Sequence, residues 1–350
     1  MQAWVLHGVN DIRYEELPVP VPREGWVLLK VKACGICGSD IPRIYDTGAH
    51  KHPLIPGHEF AGIVEEAGSA ADKALIGSRV GVFPLIPCGV CPQCVKKRYE
   101  MCDDYNYTGS RCDGAFAGYV CVPAANLIRL PDNVSFEQAA MLEPMAVAVH
   151  AMRAIEAAAG DTIAVCGLGT IGMLLYMFLR DAGYKDIFVI GNKDFQKKQA
   201  YMLGADDAHY IDSRKDDVLK RIKVGSGGKG ADVFFECVGR NDTIALGLNA
   251  AAKGGKLMLI GNPHSDIELM RNDYWQILRK QLRVQGTWNS SFTLDDDDDW
   301  HYVIRRISEG EISPQELITH RLGLKDLEIG LHIMRDRSED YCKIMILQDN

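Results

Sequence analysis

The sequence lacks an excess of positive charge. Its 350 residues contain 39 lysines and arginines against 47 aspartates and glutamates, which gives a formal net charge of −8. Contact with the phosphates of a nucleic acid requires a basic surface. The charge balance therefore argues against a nucleic-acid partner. The content of 47% hydrophobic and 25% charged residues is typical of a globular protein and not of a disordered chain.

The pattern of the sequence predicts neither a leader segment nor a membrane span. Residues 1–13 read as a strand and not as a cationic segment followed by an apolar one, so we expect no signal peptide and a cytoplasmic protein. Residues 162–179 carry no charge over eighteen positions, the lower edge of a membrane-spanning length. The glycines at 167, 169 and 172 instead favour a buried strand, a tight turn and a buried helix.

The pattern of strand and helix signals changes near Asp161. Before it, short strand patterns alternate with Gly and Pro about every ten residues, which predicts a β-barrel-like domain. After it, strands alternate with helices, which predicts a doubly wound parallel sheet in an α/β protein. We therefore place domains at 1–155 and 156–286, and expect segment 287–350 to return to the first domain. The aspartates at 295–299 are expected to form a solvated helix start.

Four of the eleven cysteines have the spacing of a metal site. An odd number of cysteines without a secretory signal points to thiols and metal ligands, not to disulfides. The spacing C-x2-C-x2-C-x7-C of Cys88, Cys91, Cys94 and Cys102 predicts a closed tetrahedral zinc site that shapes a loop. Unrelated thiols and an iron–sulfur cluster are the alternatives, although Asp103 replaces the proline that follows the bacterial cluster motif.

A second candidate metal site combines residues from three parts of the chain. Cys37 lies in "CGICGSD", His58 in "GHE", and Glu143 in "MLEPM", an apolar stretch where an unpaired carboxylate is costly to bury. Such a set suits a zinc ion with an open position, which lowers the pKa of a bound alcohol and so favours hydride release. Ser39 could pass the proton on and Asp40 could orient His58; ordinary turn or capping roles are their alternatives.

A glycine motif predicts a dinucleotide site. Gly167, Gly169 and Gly172 form G-x-G-x-x-G between a strand and a helix, which is the context that supports the motif. The next strand ends in Gly191–Asn192–Lys193, where an acidic residue would bind a ribose 2′-hydroxyl. The lysine favours NADP(H) over NAD(H), while the neighbouring Asp194 keeps NAD(H) or dual use as alternatives. The predicted cofactor-binding residues are Gly167, Gly169, Thr170, Ile171, Gly172, Gly191, Asn192, Lys193, Gly239 and Gly261.

With these motifs in order, the chain resembles the zinc-containing medium-chain dehydrogenases/reductases over nearly all of its length. The resemblance implies a GroES-like β-barrel catalytic domain plus a Rossmann domain. It also implies that Cys37, His58 and Glu143 bind the catalytic zinc and that Glu59 can approach the metal during turnover. Simple alcohol dehydrogenases have a cysteine where Glu143 stands, so the chain is more similar to the polyol dehydrogenases.

Within that family, three stretches resemble the galactitol-1-phosphate 5-dehydrogenase and sorbitol dehydrogenase-like group: "CGSDIPRIYDTGAHKHPLIPGHEFAG", "TGSRCDGAFAGY" and "ILRKQLRVQGTWNSS". They contain Arg43, His50 and Arg111, which are candidates for binding a substrate phosphate or ordinary charged residues. The Gly191–Asn192–Lys193 turn departs from that group, for which an aspartate and NAD are expected.

The sequence thus predicts a zinc-dependent oxidoreductase that interconverts a secondary alcohol of a polyol or polyol phosphate and the ketose with NADP(H) or NAD(H). The alternative is a dehydrogenase of an unphosphorylated alcohol, diol, sugar alcohol or threonine. A zinc-free reductase or a structural protein is least favoured. We expect two zinc ions per chain, a small-molecule substrate, a homodimer or homotetramer, and neither a nucleic-acid nor a membrane partner.

Overall fold

The computed structural model describes residues 1–263 and 265–348. Its strands are β1 (Gln2–Gly8), β2 (Asp11–Glu16), β3 (Trp26–Ile36), β4 (Glu59–Ala67), β5 (Arg79–Val82), β6 (Leu85–Ile86), β7 (Asn106–Tyr107), β8 (Tyr119–Pro123), β9 (Leu127–Arg129), β10 (Ile163–Cys166), β11 (Ile187–Gly191), β12 (Tyr210–Asp212), β13 (Ala231–Glu236), β14 (Ala251–Leu259), β15 (Arg283–Gly286), β16 (Ile318–Gly323) and β17 (Lys343–Leu347).

The α-helices of the described residues are α1 (Asp40–Tyr45), α2 (Pro92–Val95), α3 (Phe136–Ala140), α4 (Leu142–Ala154), α5 (Thr170–Asp181), α6 (Asp194–Met202), α7 (Val218–Gly225), α8 (Asn241–Ala250), α9 (Arg271–Lys280), α10 (Asp299–Ser308) and α11 (Leu327–Asp336). Short 3-10 helices cover Ala71–Leu75, Tyr99–Met101, Ala124–Asn126, Pro314–Leu317 and Leu324–Asp326. Contacts divide the chain into two units, residues 1–146 with the chain from 290 onward, and residues 147–289.

The first unit is built on a sheet of seven strands. Six of them follow the order β16-β17-β3-β4-β5-β9, and β8 pairs with β3. The long strand β3 pairs antiparallel with β4, β8 and β17, so the end of the chain adds strands to a sheet that the beginning started. Helix α11 packs into the same core, because its buried residues recur at helical spacing. Gly330 keeps this contact close, since a Cβ there would lie 2.7 Å from Ile36 Cδ1.

The second unit is a six-stranded sheet in the order β12-β11-β10-β13-β14-β15, and each pair is parallel. The chain runs outward from β10 on one side and from β13 on the other. Ligands of such sheets bind where the strand order reverses, at the carboxyl ends of the strands. The predicted doubly wound sheet is confirmed. Residues 162–179 supply β10 and most of α5, and no helix of the described chain is long and apolar enough to cross a membrane.

The start of α10 corrects one expectation. Residues 295–297 are exposed, as a solvated helix start requires, but Asp298 and Asp299 are buried. Asp298 caps the helix by accepting a hydrogen bond from the His301 amide at 2.8 Å, and Asp299 accepts one from the Ser291 amide at 2.8 Å. Both carboxylates therefore satisfy backbone donors that a helix N-terminus and a buried loop would otherwise leave unpaired.

Candidate active site

Three predicted residues converge at the neighbouring ends of two strands. Cys37 directly follows β3, and His58 and Glu59 lie at the start of β4, where Gly35 pairs with Glu59. One ligand atom from each of the three lies within 4.8 Å of the others. His58 is 3% exposed and Glu59 is 1% exposed. A thiol, an imidazole and a carboxylate at this separation fit a zinc ion that keeps one position open.

A buried carboxylate faces the imidazole of His58. His58 Nδ1 lies 3.5 Å from Asp40 Oδ1, and Asp40 Oδ2 accepts a 3.0 Å hydrogen bond from the Cys37 amide. Arg43 donates to Asp40 Oδ1 at 2.5 Å. Burial would raise the pKa of Asp40, but the charges on His58 and Arg43 outweigh it and hold that pKa below its usual value. Asp40 thus leaves the other ring nitrogen of His58 available as a ligand.

Glu59 is held by a residue that sequence reasoning missed. Lys343, the first residue of β17, is 3% exposed, and its Nζ donates to Glu59 Oε2 at 2.5 Å and to the Ile36 carbonyl at 3.1 Å. Burial would lower the pKa of Lys343, but the charge of Glu59 outweighs it and the pKa lies above its usual value. Gly35 leaves room for the pair, because a Cβ there would lie 2.3 Å from Glu59 Oε2.

Glu143 lies at the start of α4 and outside the group of three. In the described part of the chain, the group of residues that could hold a metal here consists of Cys37, His58 and Glu59 and does not include Glu143. Its Oε1 accepts a 3.1 Å hydrogen bond from the hydroxyl of Tyr107, a second residue that the sequence did not indicate. Burial raises the pKa of Glu143, although the nearby charge of His58 opposes the rise. Burial, and then the charge of Glu143, raises the pKa of Tyr107 well above its usual value.

The hydroxyl of Ser39 faces the thiol of Cys37. Its Oγ donates to Cys37 Sγ at 3.3 Å, and it makes no capping hydrogen bond to α1 although it occupies the N-cap position. The capping alternative is therefore not the role that its side chain has in this structure.

The three candidates for phosphate binding lie in different surroundings. Arg43 is engaged by Asp40 and is largely buried. Arg111 stacks over the ring of Tyr105, 4.4 Å from its centroid, and donates to the Tyr105 carbonyl at 3.3 Å. His50 is exposed. An arginine can both stack on an aromatic ring and bind a phosphate through its planar guanidinium.

The four cysteines of the second motif gather in one loop. Their sulfurs lie within 4.8 Å of one another. Cys88 Sγ and Cys94 Sγ are 3.9 Å apart, close to the roughly 3.8 Å between sulfurs of a tetrahedral site with Zn–S bonds of about 2.3 Å. Backbone amides that donate to Cys91 lower its pKa to about 6, while burial raises the pKa of Cys94 to about 12. Four sulfurs at this spacing fit a closed zinc site.

A cavity of about 630 Å³ opens at the carboxyl ends of β10, β11 and β13. Gly167 lines it with φ +99°, and a Cβ there would lie 2.5 Å from Val238 Cγ2. Gly172 lies in the first turn of α5, where a Cβ would meet the Gly167 carbonyl oxygen at 1.9 Å. Both glycines are therefore needed for the backbone turn. The lining of the cavity also includes the predicted residues Gly169, Gly191 and Asn192. It includes four residues that the sequence did not indicate: Gln196, Ser213, Arg240 and Thr243.

The remaining cofactor candidates surround this cavity without lining it in the described chain. Thr170 and Ile171 begin α5, and Lys193 precedes α6. Gly239 and Gly261 let two loops approach, since a Cβ on Gly261 would lie 2.1 Å from the Gly239 amide nitrogen.

Asp194, the residue that favoured NAD(H), is paired with a cation. It accepts a 2.5 Å hydrogen bond from Arg214, which also donates to Asp212 at 2.7 Å. This pairing lowers the pKa of Asp194. The cluster at the end of β12 therefore neutralises part of the acidic charge near Lys193.

Two family models match the chain. The model of the alcohol dehydrogenase GroES-like domain matches residues 23–132, and the model of the zinc-binding dehydrogenase matches residues 170–309. A GroES-like unit with thiol ligands and a parallel dinucleotide-binding sheet are the two parts of zinc-dependent medium-chain dehydrogenases. The chain belongs to this family of alcohol and polyol dehydrogenases, which confirms the predicted fold class and the prediction of an oxidoreductase.

Individual relatives agree in length and fold. The galactitol 1-phosphate 5-dehydrogenase of Escherichia coli (strain K12) is 31% identical over 322 residues, which cover 89% of this chain and 91% of the relative. The sorbitol dehydrogenase of Bacillus subtilis (strain 168) is 30% identical, and the match covers 99% of this chain and 97% of the relative. A zinc-binding dehydrogenase from Sinorhizobium meliloti 1021 was crystallised with NADP bound. It is 29% identical with a TM-score of 0.89, and the match covers 99% of this chain and 98% of that chain.

Proposed function

We propose that the protein oxidises a secondary alcohol of a polyol or polyol phosphate to the ketose, and catalyses the reverse reduction. The alcohol loses a hydride to NADP⁺ or NAD⁺ and a proton to water. The observation that carries the proposal is the group formed by Cys37, His58 and Glu59, with Glu143 beside it. A carboxylate-rich metal site of this kind is what the resemblance to polyol dehydrogenases implied.

We assign roles to the residues of this group. Cys37 and His58, with a carboxylate from Glu59 or Glu143, would hold a zinc ion, which supplies Lewis-acid polarisation of the alcohol or carbonyl oxygen. Ser39 carries a hydroxyl at the catalytic cysteine and would receive the substrate proton. A second zinc on Cys88, Cys91, Cys94 and Cys102 would only shape the loop that they form.

We propose that an arginine binds a phosphate group of the substrate. We therefore expect the enzyme to prefer a phosphorylated polyol over the free polyol. With galactitol and galactitol 1-phosphate as probes, kcat/KM should favour the phosphate ester by about 10- to 150-fold, the range for one hydrogen bond between charged groups. The measurement is initial rates with both cofactors on samples of known zinc content.

Two variants test the residue behind this preference. Arg111→Ala should remove the preference for the phosphate ester, while Arg129→Ala, an exposed arginine on β9, should keep it. Equal kcat/KM values for the two probes in the parent protein would instead favour a dehydrogenase of unphosphorylated polyols.

We propose NADP(H) as the preferred cofactor. Gly191 at the end of β11 has no room for a side chain, because a Cβ there would lie 2.7 Å from the Tyr210 hydroxyl oxygen and 3.0 Å from Gln196 Oε1. The position where an acidic residue would bind a ribose 2′-hydroxyl therefore carries no carboxylate. Lys193 follows two residues later, and Arg214 offsets the charge of Asp194. These features support binding of the 2′-phosphate, and the NADP bound by the Sinorhizobium relative is in line with them.

Replacing Lys193 by alanine should weaken NADP(H) binding by about 1–3 kcal/mol, the range for losing a hydrogen bond to a charged group. NAD(H) binding should change little, because NAD lacks the 2′-phosphate. Fluorescence titration with NADPH and NADH measures both dissociation constants. Lys198→Ala, an exposed lysine on the same helix, is the control. Equal losses for the two cofactors would show that Lys193 does not bind the 2′-phosphate.

We propose a homodimer or homotetramer and a cytoplasmic location. Apolar side chains that include Tyr274, Trp275 and Leu278 on α9 and Val284 on β15 are exposed, and β15 is the edge of its sheet. Exposed apolar edges are sites of association. Free thiols at all eleven cysteines suit a reducing compartment.

The domain boundaries that we propose from the sequence lie at residues 155 and 286. Contacts within the structure divide the chain at residues 146 and 290.

A further inference from the structure

Two carboxylates stand next to the same pair of ligands. Glu59 belongs to the compact group with Cys37 and His58, and Lys343 holds its Oε2. Glu143 lies outside that group but next to it, because its Oε1 binds the hydroxyl of Tyr107, whose ring packs against the ring of His58. Each of the two carboxylates is therefore a candidate for the third ligand of one metal ion.

The number of ligands decides whether the site can act on a substrate. A four-coordinate zinc that binds Cys37, His58 and one carboxylate has one position left for an alcohol or carbonyl oxygen. A second carboxylate in that position would close the site. Something in the protein must therefore keep one glutamate away from the metal while its carboxylate remains inside the site.

The hydroxyl of Tyr107 is placed to do this. It donates a 3.1 Å hydrogen bond to Glu143 Oε1. We propose that Tyr107 is a positioning residue of the active site, whose hydroxyl holds Glu143 outside the group of Cys37, His58 and Glu59 and so keeps the fourth metal position open. The proposal rests on the catalytic metal site of the proposed function.

The ring of Tyr107 is held from two sides and by its backbone. It packs edge-on against the His58 ring with centroids 5.8 Å apart, and against Tyr105 with centroids 6.3 Å apart. Tyr107 also pairs with Leu85 between β7 and β6. The hydroxyl is therefore fixed in position without a flexible stem, and a phenylalanine would keep the packing while removing the donor.

Cobalt(II) substitution tests the proposal through the metal's visible spectrum. Imidazole, used as a probe, enters an open cobalt position and changes the spectrum, whereas a closed four-cysteine site does not respond. In Tyr107→Phe the released carboxylate should occupy the open position. We expect the dissociation constant of imidazole to rise about tenfold, the size of one hydrogen bond to a charged group. We also expect slower removal of the responsive cobalt by a chelator.

Two further variants separate this role from a general effect of the substitution. Tyr14→Phe removes an exposed tyrosine hydroxyl on β2 and should leave both readouts unchanged. In a Glu143→Gln background, Tyr107→Phe should have little further effect, because the carboxylate that it controls is gone.

Each contrary result has a distinct meaning. If the parent responds to imidazole and Tyr107→Phe gives the same dissociation constant and chelation rate, the role of Tyr107 is refuted and the metal site stands. An equal effect of Tyr107→Phe in the Glu143→Gln background also refutes it. If the parent takes up cobalt but shows no response to imidazole, the open metal site of the proposed function is refuted instead.

Discussion

Replacing Cys37 by alanine is expected to lower the zinc content from two ions per chain to one and kcat/KM by at least about 10³-fold, since Lewis-acid stabilisation amounts to several kcal/mol. The loss follows from the composition of the ligand group. Without the thiolate, His58 and the one carboxylate that belongs to the group, Glu59, offer two ligands, which is fewer than a catalytic zinc site uses. Metal analysis by mass spectrometry and steady-state kinetics on the same sample provide the two readings.

The corresponding change in the second site should separate zinc content from chemistry. Cys91→Ala is expected to lose the other zinc and to destabilise the loop over 88–102, because a structural zinc contributes directly to folding free energy. Its kcat/KM should fall less than that of Cys37→Ala. Cys121→Ala, a half-buried thiol of the same unit outside both groups, should keep both ions. A parent with one zinc that survives Cys37→Ala and disappears with Cys91→Ala would refute the catalytic site.

Two of the features that the sequence predicted have partners that are near in the chain. Cys88, Cys91, Cys94 and Cys102 span fifteen residues, so their spacing alone indicates a shared metal. The glycines at 167, 169 and 172 belong to one strand, turn and helix, and their spacing reports the same local geometry. For such motifs the pattern of residues contains nearly all of the structural information.

The arrangement of the two glutamates could not be predicted in this way. Glu59 lies 284 residues from Lys343, and Glu143 lies 36 residues from Tyr107. The first contact depends on β4 and β17 both pairing with β3, and the second on helix α4 lying beside β7. Neither Lys343 nor Tyr107 belongs to a motif. A lysine at the start of the apolar strand "KIMIL" was a weak signal for a buried cation, since lysine is rarely buried without a partner. A tyrosine in a polar loop gave no such signal.

The structure gives Arg43 a partner that the sequence analysis did not indicate. Its place in "CGSDIPRIYDTG" suggested a ligand for a substrate phosphate. In the structure its Nη1 binds Asp40, three residues earlier, and so contributes to the orientation of His58. The side chain can serve the metal site through this bond whether or not the substrate carries a phosphate.

Replacing Lys343 by methionine is expected to lower the free energy of unfolding by about 3–5 kcal/mol in the Cys37→Ala background, which lacks the catalytic zinc, because removing one partner of a buried ion pair leaves an uncompensated charge. Glu59, 1% exposed, would then have lost the ammonium group at 2.5 Å. Urea unfolding followed by circular dichroism measures the change, with zinc at the four-cysteine site kept constant.

The metal and a second substitution identify the origin of that loss. With Cys37 intact and zinc bound, the destabilisation by Lys343→Met should be smaller, since a metal ion that binds Glu59 compensates its charge. Adding Glu59→Gln to Lys343→Met should recover most of the stability, because a neutral amide is far less costly to bury than a carboxylate. If the double variant were as unstable as Lys343→Met alone, the loss would come from the packing of the lysine stem. If zinc made no difference, Glu59 would not be a metal ligand, and Glu143 would be the carboxylate that completes the catalytic site.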